Sequence, residues 1–295
     1  MAAAPVRVTQ YTDPSCPWAY SAEPFLRGLE WRYGDGLEWR AVMIGLSEDT
    51  RARERAGVTP ESRVQGWLEF GARFGMPVSS APRTRLMASG RACRAVKAAE
   101  RDGAAAAARL LRAIRLAWFT STLLLDADDD LAEVSDAAGL DGAAIVAGID
   151  DPEVEAAYQR DRAEARSAGR TGTPAVAQGR AAESDSGARF TAPSLVFERD
   201  GQRLVAGGWQ PFDAYDLCVA NLAPELPRRP PPEPADLLAA FPAGLVTVEV
   251  AEVCRERNDG CSAAGAAAAL SELERAGLVR RTPIGDDDGL WQRIA

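Results

Sequence analysis

Histidine is absent from all 295 residues. Without an imidazole, Ser-His-Asp and Cys-His catalysis and His-ligated metal sites are excluded. Any general base must then be a carboxylate, a tyrosine, a thiolate, water or the substrate itself. Lysine is nearly absent too: Lys97 is the only one, and arginine carries almost all the positive charge. With the alanine-rich runs, this is the bias of a GC-rich genome and has no functional weight. No apolar run approaches the roughly 20 residues that span a bilayer. The net charge of −9 and the pI near 4.9 speak against non-specific attachment to nucleic acid or anionic membrane. The five cysteines, at 16, 93, 218, 254 and 261, show no paired spacing and no common zinc pattern. That odd count, and a first strand too close to the N-terminus to leave room for a signal peptide, lead us to expect reduced thiols and a cytoplasmic location.

What is present is an ordinary globular composition, 46% hydrophobic and 26% charged, in a chain long enough for two domains. The stretch that organises it is Asp13-Pro14-Ser15-Cys16-Pro17-Trp18-Ala19-Tyr20. Residues 5–11 alternate as a strand does, and apolar residues recur at helical spacing to residue 33. Cys16 therefore stands where a strand hands over to a helix, with Pro17 at the first helical position, which needs no N–H. A thiol at such an N-cap faces free backbone N–H groups and the positive end of the helix dipole. Both favour the thiolate, so the expectation is a lowered thiol pKa and a reactive cysteine. The bland alternative is a buried, inert cysteine at a helix start.

Strand, Asp-Pro-Ser-Cys-Pro-Trp, helix resembles the active-site turn of the DsbA family of thioredoxin-fold thiol–disulfide proteins. It is closest to the cytoplasmic bacterial branch, which is also similar to hydroxychromene-carboxylate isomerases and kappa-class glutathione transferases. Dithiol members carry Cys-x-x-Cys, whereas Ala19 stands at the second cysteine position here. A mixed disulfide on Cys16 would have no neighbouring thiol to resolve it.

The remaining chain is consistent with that resemblance over about residues 5–222. A β-α-β unit at 5–44 implies parallel strands with a right-handed crossover. Residues 45–170 read as helices near 60–74, 84–101, 103–119, 128–138 and 152–168, with Gly139 and Gly172 at helix ends. An insertion of this kind between the halves of a small sheet is the DsbA arrangement, the alternative being a separate bundle. Residues 171–190 read as a long loop, either a flexible one beside the site or an ordinary surface excursion. Two strands around Asp200-Gly201 then form a hairpin, and a helix opens at Pro211-Phe212-Asp213. The resemblance implies a cis proline facing the cysteine. Pro193 fits that place, after Ala192 and before a hairpin and helix; Pro174 is the competitor.

Residues 224–234 read as a stiff proline-dense linker, with a PxxP-type ligand as the rarer use. Residues 235–295 read as helices at 235–241, 247–257 and 262–276 and a terminal hairpin, an order similar to a winged helix. The expected class is thus α/β: a thioredoxin fold at 1–223 with a large helical insertion, then a small winged-helix-like domain. The helix that would enter a DNA groove begins Ser262-Ala263-Ala264-Gly265-Ala266, without a basic or amide side chain, and the wing carries Asp286, Asp287 and Asp288. Phosphate would be repelled, so docking or homodimerisation is expected in place of DNA binding.

For the site, the resemblance implies Cys16 as nucleophile, with Pro17, Trp18, Ala19, Ala192 and Pro193 as substrate-binding walls. Asp13 and Tyr11 are candidates for proton transfer or substrate contact, and Ser15 for the role of the serine in the isomerase and transferase relatives. Such Asp-Pro residues more commonly hold a turn. The function expected first is that of a thiol–disulfide oxidoreductase, with Cys16 as a monothiol exchanging with a small thiol or protein thiol substrate; the alternatives are a transferase or isomerase using a low-molecular-weight thiol, no cofactor being tightly bound, and a binding module that kept the fold but lost turnover. Neither membrane nor metal is expected.

Overall fold

Strand β1 (Val6–Thr12) is almost continuously buried, because it runs between two neighbours and is covered on both faces. The computed structural model describes residues 4–167, 181–184, 187–255 and 262–294. After β1 come α1 (Pro17–Ser21) and α2 (Glu23–Tyr33). The single helix expected over this stretch is broken at Ala22. Pro24 explains the break: it has no N–H to continue the ladder, and its ring would meet the carbonyl of Tyr20. A 3₁₀ turn at Gly34–Gly36 leads to β2 (Leu37–Met43), which pairs parallel to β1 from Val6↔Leu37 to Thr12↔Met43.

The helical insertion follows as α3 (Arg51–Arg55), α4 (Pro60–Phe74), α5 (Gly90–Ala99), α6 (Ala104–Thr120), α7 (Asp128–Ala137), α8 (Gly142–Gly148) and α9 (Pro152–Ala165). Helices α3 and α8 are too short to show a period and were not anticipated. The helix expected from 84 starts only at Gly90. The residues before it form no regular element and are tied down by Arg83, whose buried guanidinium donates to the carbonyls of Leu123 (2.7 Å) and Trp118 (2.7 Å). The insertion packs around Leu110, Ile114, Trp118 and Phe119 of α6, against the small buried face of Ala92, Ala95 and Ala99 on α5.

The expected loop at 171–190 is partly a hairpin, β3 (Ala181–Ser184) with β4 (Gly187–Phe190). Phe190 anchors it by stacking on Tyr11 at 4.1 Å. Gly172 and Pro174 lie outside the described residues. Next come β5 (Ser194–Arg199) and β6 (Gln202–Ala206), joined at Asp200 (φ 51°) and Gly201 (φ 78°), the left-handed pair that a tight hairpin requires. Helix α10 (Phe212–Leu222) returns over the sheet, whose order is β2-β1-β5-β6 with β5 antiparallel to both neighbours.

The proline-dense segment lies along α2: Trp31 Nε1 donates to the Pro230 carbonyl at 2.7 Å, and Arg229 N to that of Arg32 at 2.9 Å. Beyond it are α11 (Pro234–Ala240), β7 (Leu245–Val246), α12 (Thr247–Val253), α13 (Ala263–Arg275), β8 (Val279–Ile284) and β9 (Asp288–Arg293). The two-residue β7 was not expected; it adds a third strand to the terminal hairpin, in the order β7-β9-β8. This segment has its own core around Leu238, Leu245, Val250, Leu270 and Trp291, but Val246 is buried in the core of the helical insertion. The β8–β9 tip docks there as well. Asp286 N donates to the Val78 carbonyl (3.1 Å), and its carboxylate accepts from Ser80 N (3.0 Å).

Candidate functional site

The Asp13 carboxylate is fully buried and holds five donors. Oδ1 accepts from Ser15 N (2.9 Å) and Ser15 Oγ (2.6 Å); Oδ2 accepts from Leu46 N (2.8 Å), Ser89 Oγ (2.9 Å) and Cys93 Sγ (3.6 Å). It thus ties the turn to the start of the insertion. Asp13 does not line the cleft at Cys16, and Ser15 spends its hydroxyl on Asp13. Tyr11 packs in the same buried cluster as Cys16 and Ala192 but does not line that cleft: its hydroxyl donates to Glu164 Oε1 (2.9 Å), and burial with the Glu164 charge pushes its pKa up. These three residues build the turn and its supports.

Cys16 is the N-cap of α1 (φ −83°, ψ 116°), with Pro17 directly after it. The Ala192–Pro193 bond is cis, and Cys16 Sγ donates to the Ala192 carbonyl at 3.1 Å. The lowered pKa expected from the N-cap position is not found. Burial, with only 6% of the residue exposed, pushes the thiol up from 9.0 to about 11. The N–H groups of Ala19 and Trp18 pull the other way, as does Arg115, while the Asp13 charge adds to the rise. Desolvation wins because the thiolate would lose water on nearly every side, and the helix opposing that loss has only five residues.

Beside the thiol is a cleft of about 390 Å³, walled by Trp18, Trp209, Arg189, Thr191 and Ala192. Trp18, 38% exposed, is one wall as expected. It meets Phe70 edge-on (ring centroids 4.9 Å apart), and the Arg73 guanidinium lies 5.7 Å over its ring. Trp209 meets Phe74 (5.2 Å) and Phe25 (5.4 Å), so two tryptophans from distant parts of the chain flank the opening. Ala19 is fully buried beneath the turn and Pro193 is buried behind Ala192. Of the expected wall residues, then, Trp18 and Ala192 line the cleft and Pro17, Ala19 and Pro193 do not. Arg189, Thr191 and Trp209 were missed. Trp209 did carry a signal, an aromatic straight after Gly207-Gly208 at the end of β6. Arg189 did not, being one arginine among many. Among the described residues no group of three Cys, Asp or Glu is placed to hold a metal ion.

A buried ionic cluster sits behind the site. Glu23, the first residue of α2, pairs with Arg115, whose other terminal nitrogen donates to Thr12 Oγ1 (2.6 Å). Arg112 donates to Glu249 of α12 (2.6 and 2.8 Å), to the Gly244 carbonyl (3.0 Å) and to Glu23 (3.2 Å). Burial alone would raise Glu23, but Arg115, Arg27 and Arg112 together hold it below the usual carboxylate range. No helix among the described residues is long and apolar enough to cross a membrane.

Against known proteins, residues 7–190 match the family described as DSBA-like thioredoxin domain. The ClpXP adapter protein SpxH of Shouchella clausii is 27% identical over 252 residues, covering 84% of this chain and 77% of that protein. SpxH of Halalkalibacterium halodurans is 28% identical over 142 residues, 46% of each chain. Among solved structures, the cytosolic disulfide reductase DsbM of Pseudomonas aeruginosa superposes with a TM-score of 0.52 at 22% identity, over 75% of this chain and 98% of that one, a likeness of fold.

Proposed function

This chain belongs to the DSBA-like thioredoxin domain family, and on that footing we propose that it is a protein-binding adapter on a thioredoxin-type scaffold, delivering client proteins to a ClpXP-type protease in the cytoplasm. The observation that carries this is the state of Cys16. Its thiol is buried, raised to about 11 and donating to a carbonyl, and Ala19 stands where a resolving thiol is needed. Those are the features of a site that kept its architecture and gave up turnover. The similarity to SpxH supports the same reading. It covers 84% of the chain, more than residues 1–223 contain, so it continues into the C-terminal segment.

That segment, α11–α13 with β7, β8 and β9, has the element order of a winged helix, and we assign it an assembly role. Its tip is already occupied by Val78 and Ser80, and the start of α13 offers phosphate no basic side chain.

Monothiol exchange is the second reading. It is favoured by the cleft of about 390 Å³ between Trp18 and Trp209, which opens onto Cys16 and would admit a small thiol.

Protein half-lives measured by proteomics in cells lacking this chain separate the two. The adapter reading expects a set of proteins to become long-lived, the same set to persist when ClpXP is removed, and Cys16→Ser to restore turnover as well as the wild type does. No ClpXP-dependent change overturns it. Rescue by the wild type but not by Cys16→Ser favours thiol exchange.

A further inference from the structure

A pocket of about 20 Å³ lies between α4, Ser15 of the cysteine turn and the segment before α5, and shares no lining residue with the cleft at Cys16. Arg53, Arg63, Arg83 and Arg85 line it with Trp67 and Trp118, and no aspartate or glutamate does. The chain as a whole carries a net charge of −9, so four guanidinium groups around one small space make a local field of the opposite sign.

These cations meet, and they are open to a partner. The guanidinium groups of Arg63 and Arg83 both lie over the Trp67 ring, 5.4 and 5.3 Å from its centroid. Arg85 is exposed and pairs with Asp126 (2.7 Å). Arg53 donates to the Met87 carbonyl (2.9 Å) and Ser47 Oγ (3.1 Å), and Arg83 to the carbonyls of Leu123 and Trp118; among the described residues neither of these, nor Arg63, is paired with a carboxylate. Arg63 is half-buried and donates to no protein acceptor, yet none of its nitrogens is sealed from solvent. Arg83 Nη1 is unoccupied and unsealed in the same way. Burial and the Arg53 charge pull Arg63 below its ordinary range, and burial pulls Arg83 down to about 10. An incoming anion supplies the countercharge that both lack.

Size decides which part of an anion enters. One water needs roughly 10–15 Å³, so this pocket admits about one or two waters or a single carboxylate, and not a whole organic ligand. A planar carboxylate also matches the guanidinium fork. The remainder of the ligand must lie on the surface outside. Along α4, Arg63, Trp67, Phe70 and Phe74 fall at i, i+4, i+7 and i+11, which is one face of the helix. Phe70 and Phe74 are half-buried with rings 5.7 Å apart, and Phe70 meets the exposed Trp18 at 4.9 Å. The arginine end and the aromatic end of this face are about 16 Å apart, the reach of about five residues of extended chain. A small free anion is too short to touch both ends; a stretch of polypeptide touches both.

We propose that this face of α4 is where the client protein docks, an inference that rests on the adapter reading. It takes an extended acidic segment: one aspartate or glutamate carboxylate enters the arginine pocket, and an apolar side chain about five residues along lies on Phe70, Phe74 and Trp18.

A random twelve-residue peptide library displayed on phage, selected against the immobilised full-length protein, tests the chemistry. The expected result is enrichment of an acidic residue spaced about four to six positions from an aromatic one or leucine. Fluorescent copies of the selected peptides should bind the full-length protein in solution. Exchanging their carboxylate for the amide, or Arg63→Glu in the protein, should each weaken binding at least about tenfold, the effect of one lost charge-assisted hydrogen bond. Arg63→Lys should weaken it less, because it keeps the charge and loses only the fork. No acidic enrichment, or affinity unchanged by the amide exchange, would overturn the proposal. So would displacement by succinate or inorganic phosphate at the peptide's own concentration, which would make the pocket a site for small anions. In cells, Arg63→Glu should leave the ClpXP-dependent proteins long-lived while Cys16→Ser restores their turnover. Full turnover with Arg63→Glu would sink this docking site and spare the adapter reading; acid-selective peptide binding with no ClpXP-dependent protein set would sink the adapter reading and spare the acid-binding pocket.

Discussion

Titrating Cys16 tests the physical claim on which the functional reading rests. Moving the thiol from 9.0 to about 11 makes the thiolate about 100-fold scarcer at neutral pH than in an ordinary cysteine, a factor of ten for each pH unit. Alkylation by iodoacetamide, followed by intact mass and peptide mapping, should therefore be at least that much slower at Cys16 than in the unfolded chain at pH 7.5, with its rate still climbing at pH 10. The same displacement has a consequence for stability. The folded state binds the thiol proton more tightly than the unfolded state does, so the stabilisation is complete below pH 9 and is lost as pH rises through 11. Two pH units correspond to about 3 kcal/mol, of which about 2 kcal/mol is lost by pH 10.5. Tyr11, Tyr33 and Tyr215 are likewise raised and weaken the fold in the same range. Cys16→Ala retains those groups, so the difference between the two proteins in urea unfolding at pH 8 and pH 10.5 isolates Cys16. Wild type should lose about 2 kcal/mol more than the variant. An alkylation midpoint below 9, or parallel pH dependence in the two proteins, would refute the argument that burial outweighs the helix terminus.

The ionic cluster predicts that Glu249→Gln, which leaves Arg112 buried without its bidentate partner, destabilises by about 3–5 kcal/mol in urea unfolding. A loss under 1 kcal/mol would mean that water or Glu23 replaces the carboxylate. Asp13→Ala removes the acceptor for five buried donors and should cost about 3 kcal/mol or more, since each stranded donor is worth about 1–3; stability within 1 kcal/mol of wild type would show the turn to be held by something else. Asp286→Ala should leave global stability within about 1 kcal/mol while raising hydrogen exchange at Ser80, because only the carboxylate's bond to Ser80 N is lost and the backbone bond to Val78 remains; unchanged exchange at Ser80 would contradict that contact.

Much of the fold was legible in local pattern. Period-two alternation placed the strands of the sheet, and the Asp200-Gly201 pair placed the hairpin between β5 and β6. The helices α4, α6, α7, α9, α10 and α13 were legible because each buries one face and so repeats every three to four residues. Errors fell where a single residue or a long-range contact decided the outcome. Pro24 cut the first helix in two, Arg83 tied the stretch at 84–89 to carbonyls at and just beyond the end of α6, and Phe190 anchored a hairpin within an apparent loop by stacking on Tyr11.

At the site the division is sharper. The chain's own order determined that Cys16 caps a helix behind Pro17, that Ala19 leaves it without a resolving thiol, and that Pro193 follows Ala192 at the start of a strand. Those are properties of neighbours in sequence, where steric and capping rules act over a few residues. Which way the thiol titrates, which side chains wall its cleft, and how the C-terminal segment couples to the core were decided by the tertiary structure alone. Desolvation of Cys16 depends on every atom that excludes water from it, and Ala192, Arg189 and Trp209 come from segments more than 150 residues away that only folding brings near.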